Sequence, residues 1–241
     1  MNQDHLLEKQ ETDQDQSLVN LASRPISRKN FMLFSGATAV SAILLQSCSK
    51  DDDNTPASAD VTLTNDDYGV LNYAYALEQL EAAFYTQVVA TPYTGITASE
   101  KTMLTDIMYH EVAHVAFLKA ALGTKAIGSL TPDFSSIDFT SKTSVLTTAQ
   151  TFEDLGVSAY NGVAKHIKDA NYLLAAGKIV SVEARHAAII RETLNPNTAA
   201  FASAPTVATA TGLDTLHTVP EVLAAAGKYI KNKITSNLPT T

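Results

Sequence analysis

The 241-residue chain has a single cysteine, Cys48. One thiol rules out a disulfide scaffold and any thiolate-based metal site. Long hydrophobic runs are missing as well: no stretch reaches the roughly 18–20 apolar residues that a membrane-spanning helix needs. Positive charge is scarce, with 17 Lys and Arg against 25 Asp and Glu and a net charge of −8 at pH 7. That balance argues against a surface for nucleic acid or anionic lipid. The alternating pattern of a half-buried strand is also lacking, so the chain reads as all-α. The apolar share of 45% is ordinary, enough for one globular domain with appendages.

Two Glu-x-x-His quartets stand out against this background, Glu111–Val112–Ala113–His114 and Glu183–Ala184–Arg185–His186. Both sit in apolar, helix-forming stretches. Residues three apart on an α-helix share a face, about 4.5 Å apart along its axis, so a Glu and a His can aim at one point. Each quartet follows a stretch with another carboxylate and a matching tyrosine, Glu78 with Tyr85 and Glu153 with Tyr160. From Glu78 to Glu111 is 33 residues, and from Glu153 to Glu183 is 30. The first interval has its midpoint in Thr91–Pro92–Tyr93–Thr94–Gly95, a strong breaker cluster; the second has its midpoint near residue 168, just before Asp169–Ala170–Asn171. Folding each half back at its midpoint brings four Glu and two His residues to one depth. That is the ligand pattern of a two-metal site inside a four-helix bundle. Carboxylates buried among Leu, Ala and Val need compensation worth several kcal/mol, and two divalent cations would supply it.

Some positions have competitors. Glu81, one turn from Glu78, can also face inward, although in the repeat it aligns with Gly156 while Glu78 aligns with Glu153. Asp154 is a weaker rival to Glu153. His110–Glu111–Val112–Ala113–His114 also spells the zinc-protease signature, with His110 and His114 as ligands and Glu111 as general base. That reading leaves the second quartet unexplained and lacks a third ligand, so His110 is placed beside the site or facing solvent. His166 has no partner motif and reads as a surface residue.

On these residues the chain resembles the ferritin-like superfamily, and within it the secreted ferritin-like family that includes plant desiccation-related proteins. The similarity spans about residues 64–195. It implies an antiparallel four-helix bundle with a long connection between helices 2 and 3 and a short C-terminal helix. It implies a di-iron or di-manganese centre held by Glu78, Glu111, His114, Glu153, Glu183 and His186, with Glu111 and Glu183 bridging, Glu81 the alternative ligand, and no catalytic residue beyond the ligands. Tyr85 and Tyr160 are either donors to the metal-bound carboxylates, as in relatives, or packed aromatics with a hydrogen-bonded hydroxyl. Hard carboxylate ligands favour iron or manganese over zinc or copper. Oxidation of Fe(II) by O₂ or peroxide, or peroxide disproportionation, is the chemistry the resemblance implies. A non-enzymatic stress or desiccation-related envelope protein is the rival expectation. A homodimer through an exposed helix face stays open.

The repeat and its flanking signals divide the chain. Residues 1–48 read as an export signal: Ser27–Arg28–Lys29–Asn30, then an apolar run from Phe31 to Leu45, then Cys48. Leu45–Gln46–Ser47–Cys48 resembles the lipobox of bacterial lipoproteins, with Cys48 as the lipidation site, although Gln46 is an uncommon occupant. Ser27–Arg28–Lys29–Asn30–Phe31 resembles a twin-arginine signal with Lys in the second basic place. The expectation is an exported, cell-envelope lipoprotein, periplasmic or surface-facing, that meets the membrane only through its lipid anchor. Residues 49–63, rich in Asp, Ser and Thr, read as a flexible tether. Helices are expected at about 65–90, 98–122, 141–168 and 172–194, within a bundle domain of 64–195. The C-terminal extension, 196–241, carries an irregular stretch and a short helix at about 219–234.

Overall fold

The computed structural model describes residues 59–240, so the export signal, Cys48 and most of the expected tether lie outside the described residues. Four long helices carry the fold. Helix α1, Asp67–Ala90, starts where the Asp66 carboxylate accepts the Gly69 N–H at 2.8 Å. Helix α2, Ala98–Leu122, opens on a capping box in which Thr97 and Glu100 satisfy each other's backbone N–H groups. It ends at Gly123, whose φ of +53° suits a residue without Cβ. Helix α3 is Lys142–Val163, capped by Ser141, and α4 is Ala170–Leu194, capped by Asp169. A short α5 spans Val219–Ala226 behind the Thr218–Glu221 capping box.

Packing pairs α1 with α2 and α3 with α4, two hairpins that meet through α1 and α3. Helices α2 and α4 each bury one stripe. In α2 the stripe is Leu104, Ile107, Glu111, Leu118 and Leu122, at the spacing of successive turns. By contrast α1 is buried on nearly every side, from Gly69 through Glu78 without a break. A helix apolar all round must be covered all round, and the segments outside the bundle supply the cover. The α2–α3 connection docks through Asn72, which bonds the Lys125 carbonyl and the Ile127 N–H, and through Gln79, which accepts the Leu130 N–H. Phe84 meets Phe134 and Phe139 of that connection and Phe152 of α3.

Two differences from the sequence expectation stand at the chain's edges. Strand β1, Val61–Leu63, pairs in parallel with β2, Ile234–Ser236, with Val61 opposite Ile234. Val61 and Leu63 are buried, so the last residues of the expected tether are part of the core, and the fold is helical with a small sheet. The second difference is length. Helix α3 stops at Val163, where a tight turn takes over at Ala164–His166, and α5 stops at Ala226 before Gly227–Tyr229. Ile230 leaves the expected helix to bridge Pro132. Among the described residues no helix is long and apolar enough to cross a membrane.

The α2 start is a direct test of this local reading. Replacing Thr97 with Ala removes the side-chain acceptor of the Glu100 N–H and is expected to lower unfolding free energy by about 1 kcal/mol in chemical denaturation. An unchanged midpoint would show that the box contributes nothing.

Candidate metal centre

The helical repeat places one carboxylate of each hairpin's first helix, and one Glu-x-x-His of its second, at mid-bundle. Glu78, Glu111, Glu153 and Glu183 have no exposed surface. His114 Nδ1 lies 2.9 Å from Glu183 Oε1, 3.1 Å from Glu78 Oε2 and 3.5 Å from Glu111 Oε2. His186 Nδ1 lies 2.8 Å from Glu111 Oε1, 3.3 Å from Glu153 Oε2 and 4.0 Å from Glu183 Oε2. Two sets of four donors result, each with all ligand atoms within 4.8 Å of one another: Glu78, Glu111, His114 and Glu183, and Glu111, Glu153, Glu183 and His186. Glu111 and Glu183 belong to both sets.

These distances are short, yet most of the contacts are not hydrogen bonds. Both oxygens of Glu111 and of Glu183, Glu153 Oε2 and His186 Nδ1 are buried with no hydrogen-bond partner. Native proteins leave few such atoms. Here they converge on shared points rather than pairing with each other, which fits divalent cations between them. The remaining carboxylate oxygens are held by the two tyrosines in a crossed arrangement. Tyr85 of α1 donates to Glu153 Oε1 of α3 at 2.5 Å, and Tyr160 of α3 donates to Glu78 Oε1 of α1 at 2.7 Å. Both tyrosine hydroxyls are thus buried and bonded to carboxylates of the cluster.

Electrostatics follow from crowding acid groups in a dry interior. Burial, then repulsion from Glu111, Glu78 and Glu153, pushes the Glu183 carboxyl well up, with His114 opposing. Glu111 is pushed up to about 7 by burial, against the pull of the two imidazoles. Burial acts on Glu78 too, but the His114 charge and the Tyr160 hydroxyl outweigh it and hold that carboxyl below its usual value. His114 is raised because the Glu78, Glu111 and Glu183 carboxylates overcome its burial, and His186 rises to about 10 for the same reason with Glu111 and Glu153.

The competitors sort themselves by position. Glu81 is buried within the cluster but belongs to neither donor set. Its Oε1 lies 3.1 Å from the place where a Cβ on Gly156 would stand. Gly156 is thus the space that Glu81 fills, and the misaligned pair of the repeat is a matched pair in the fold. Burial and then the charges of Glu183, Glu111, Glu78 and Glu153 push the Glu81 carboxyl well up. Asp154 points away to Arg191, whose Nε donates to Oδ1 at 2.8 Å and whose Nη2 pairs with Oδ2. His110 stands apart from both donor sets, so the zinc-protease pairing of His110 with His114 does not form. Its Nδ1 lies instead 2.9 Å from His186 Nε2. The sequence carried no signal for that contact, which joins residues 76 apart. His166 is half-buried in the turn after α3.

A bundle of two helical hairpins with a carboxylate and imidazole cluster at its centre is the architecture of ferritin-like helical bundles, and the cluster is compatible with a di-metal site. The sequence model of the ferritin-like domain matches residues 66–196, more than half of the 241, a span that includes all four long helices and all six donors. The chain belongs to the ferritin-like domain family. Among curated proteins no match to the chain is found.

A pH prediction follows for protein stripped of metal. Glu111 at about 7 and His186 at about 10, with Glu81 and Glu183 also raised, all titrate above their usual values of 4.5 and 6.5. The folded state then holds more protons than the unfolded chain, so stability falls as pH rises. The His186 contribution is complete below 6.5 and lost through about 10. Calorimetry on metal-stripped protein should give a lower Tm at pH 9 than at pH 7; an equal or higher Tm would contradict this electrostatic account.

Proposed function

We propose that this chain is an exported di-iron or di-manganese protein that oxidises Fe(II) with O₂ or peroxide, or consumes peroxide, in defence of the cell envelope. The observation that carries the reading is the pair of four-donor sets sharing Glu111 and Glu183, with six buried donor atoms that have no hydrogen-bond partner. Hard carboxylates dominate, which favours iron or manganese. Two such ions, when bound, supply paired one-electron redox steps. In the Fe(II) case two Fe(II) become two Fe(III), while one hydrogen peroxide takes two electrons and two protons and leaves as two waters.

The chain's own residues do the rest. Glu78 and Glu153, fixed by Tyr160 and Tyr85, each keep their other oxygen within the donor sets. Glu81, whose carboxyl is pushed up by burial and by the neighbouring carboxylates, stands beside the donors without belonging to either set. Full burial of the four glutamates restricts access to small molecules, in keeping with O₂, peroxide or a bare metal ion. The lipobox-like Cys48 and the basic and apolar segment before it support attachment to the cell envelope by a lipid.

The same burial favours a second reading, in which the bundle keeps its metals but turns nothing over, as a stress or desiccation-related envelope protein. Turnover separates the two. Mixing Fe(II) or hydrogen peroxide with the metallated protein gives catalytic consumption under the first reading, with Glu111→Gln as the inactive control, and none under the second.

Sharing of donors sets the pattern of metal loss. Wild type should carry about two metals per chain. Glu111→Gln or Glu183→Gln touches both donor sets and should lose most of both metals. Glu153→Gln touches one and should lose about one. Metal analysis of natively purified variants checks this; less than about half a metal per chain in wild type would overturn the di-metal reading.

A further inference from the structure

The two halves of the repeat differ at the residue before each Glu-x-x-His. It is His110 in the first half and Val182 in the second. His110 is exposed at the surface of α2, yet its Nδ1 lies 2.9 Å from Nε2 of the buried His186 on α4. The two rings are nearly parallel, at 8°, with centroids 5.2 Å apart. A centroid separation that long, at so short an N···N distance, means that the rings meet edge to edge through a hydrogen bond rather than face to face.

That contact determines which nitrogen of His186 carries a proton. His186 Nδ1 faces Glu111 and Glu153, so a cation among those donors would use the Nδ1 lone pair. A neutral imidazole has one N–H, which must then sit on Nε2. His110 Nδ1 is the acceptor placed to receive it, leaving His110 its own proton on Nε2. A hydrogen bond to the remote N–H of a metal-binding imidazole fixes its tautomer and its aim. Val182, at the equivalent place in the repeat, has no polar side-chain atom and cannot do the same for the other half.

We infer that His110 is a positioning residue that orients His186 for metal binding and makes the Glu153–His186 half of the centre the more tightly organised of the two. The inference rests on the di-metal reading above. It predicts that two sites built from equivalent donors hold metal unequally, and that the inequality is set from the surface of the bundle.

Co(II) tests it, because its visible absorption reports ligation and its binding can be followed by calorimetry without any turnover. Metal-stripped wild type, His110→Ala, His110→Asn and His186→Ala would each be titrated with Co(II). His110→Ala should weaken one of two binding events by about 10–100-fold and leave the other unchanged. His110→Asn should restore most of the loss, since Asn Oδ1 stands where His Nδ1 does and can accept the same N–H. Adding His110→Ala to His186→Ala should change nothing further. Equal weakening of both events together with a lower Tm of the metal-stripped protein, or no weakening of either, overturns the inference while leaving the di-metal reading intact. A wild type that binds no Co(II) overturns both.

Discussion

The mutual repulsion of buried carboxylates governs the interior of this bundle. Glu78, Glu81, Glu111, Glu153 and Glu183 crowd one region with almost no exposure. A single ionised carboxylate carries an effective burial penalty of several kcal/mol, and close neighbours of like charge add to it. The fold relieves the strain in three ways. Two imidazoles sit among the acids, two tyrosine hydroxyls donate to the outer oxygens, and burial with the surrounding charges shifts the Glu81 carboxyl upward, toward its neutral form. Even so, six donor atoms are left without hydrogen-bond partners. Hydrogen bonds within the protein do not close this balance, and positive charge from metal ions would.

Holding such a cluster in place requires a rigid frame, and α1 is its centre. Because α1 is buried on almost all sides, its two buried glutamates, Glu78 and Glu81, and Tyr85 are fixed by packing rather than by solvent-exposed contacts. The cover comes from far along the chain: the α2–α3 connection through Asn72 and Gln79, the aromatic group around Phe84, and the C-terminal segment that pairs with β1. The extension therefore belongs to the structural unit that positions the site. It comes close to α3 at Gly162, where a Cβ would meet the His217 carbonyl oxygen at 2.1 Å. The crossed tyrosines then tie the two hairpins together at the cluster itself.

Much of this was legible from residue spacing. The Glu-x-x-His quartets declare a shared helix face because the helical period is fixed, and equal distances to two breaker clusters declare a common depth. Thr97 and Glu100 announced the start of α2 through their own local chemistry. What could not be read depended on contacts between distant residues. Val61–Leu63 is too short for an alternating pattern to register, and its partner lies 173 residues away. Glu81 looked like a rival to Glu78 because it lies one turn away and can face inward, and its alignment with Gly156 counted against it; only the packed helices show that the missing side chain makes its room. Asp154 was a competitor until Arg191 claimed it. Two expected helices ran too far: α3 stops at Val163, where the following Ala164 carries no stop signal, and α5 stops at Ala226, where Gly227 is the C-cap.

The most direct test of the central claim is anomalous diffraction from crystals of natively purified protein at the iron and manganese edges. Two anomalous peaks are predicted, one among Glu78, Glu111, His114 and Glu183 and one among Glu111, Glu153, Glu183 and His186. No peak within reach of Glu111 and Glu183, or a single zinc held by His110 and His114, would contradict it.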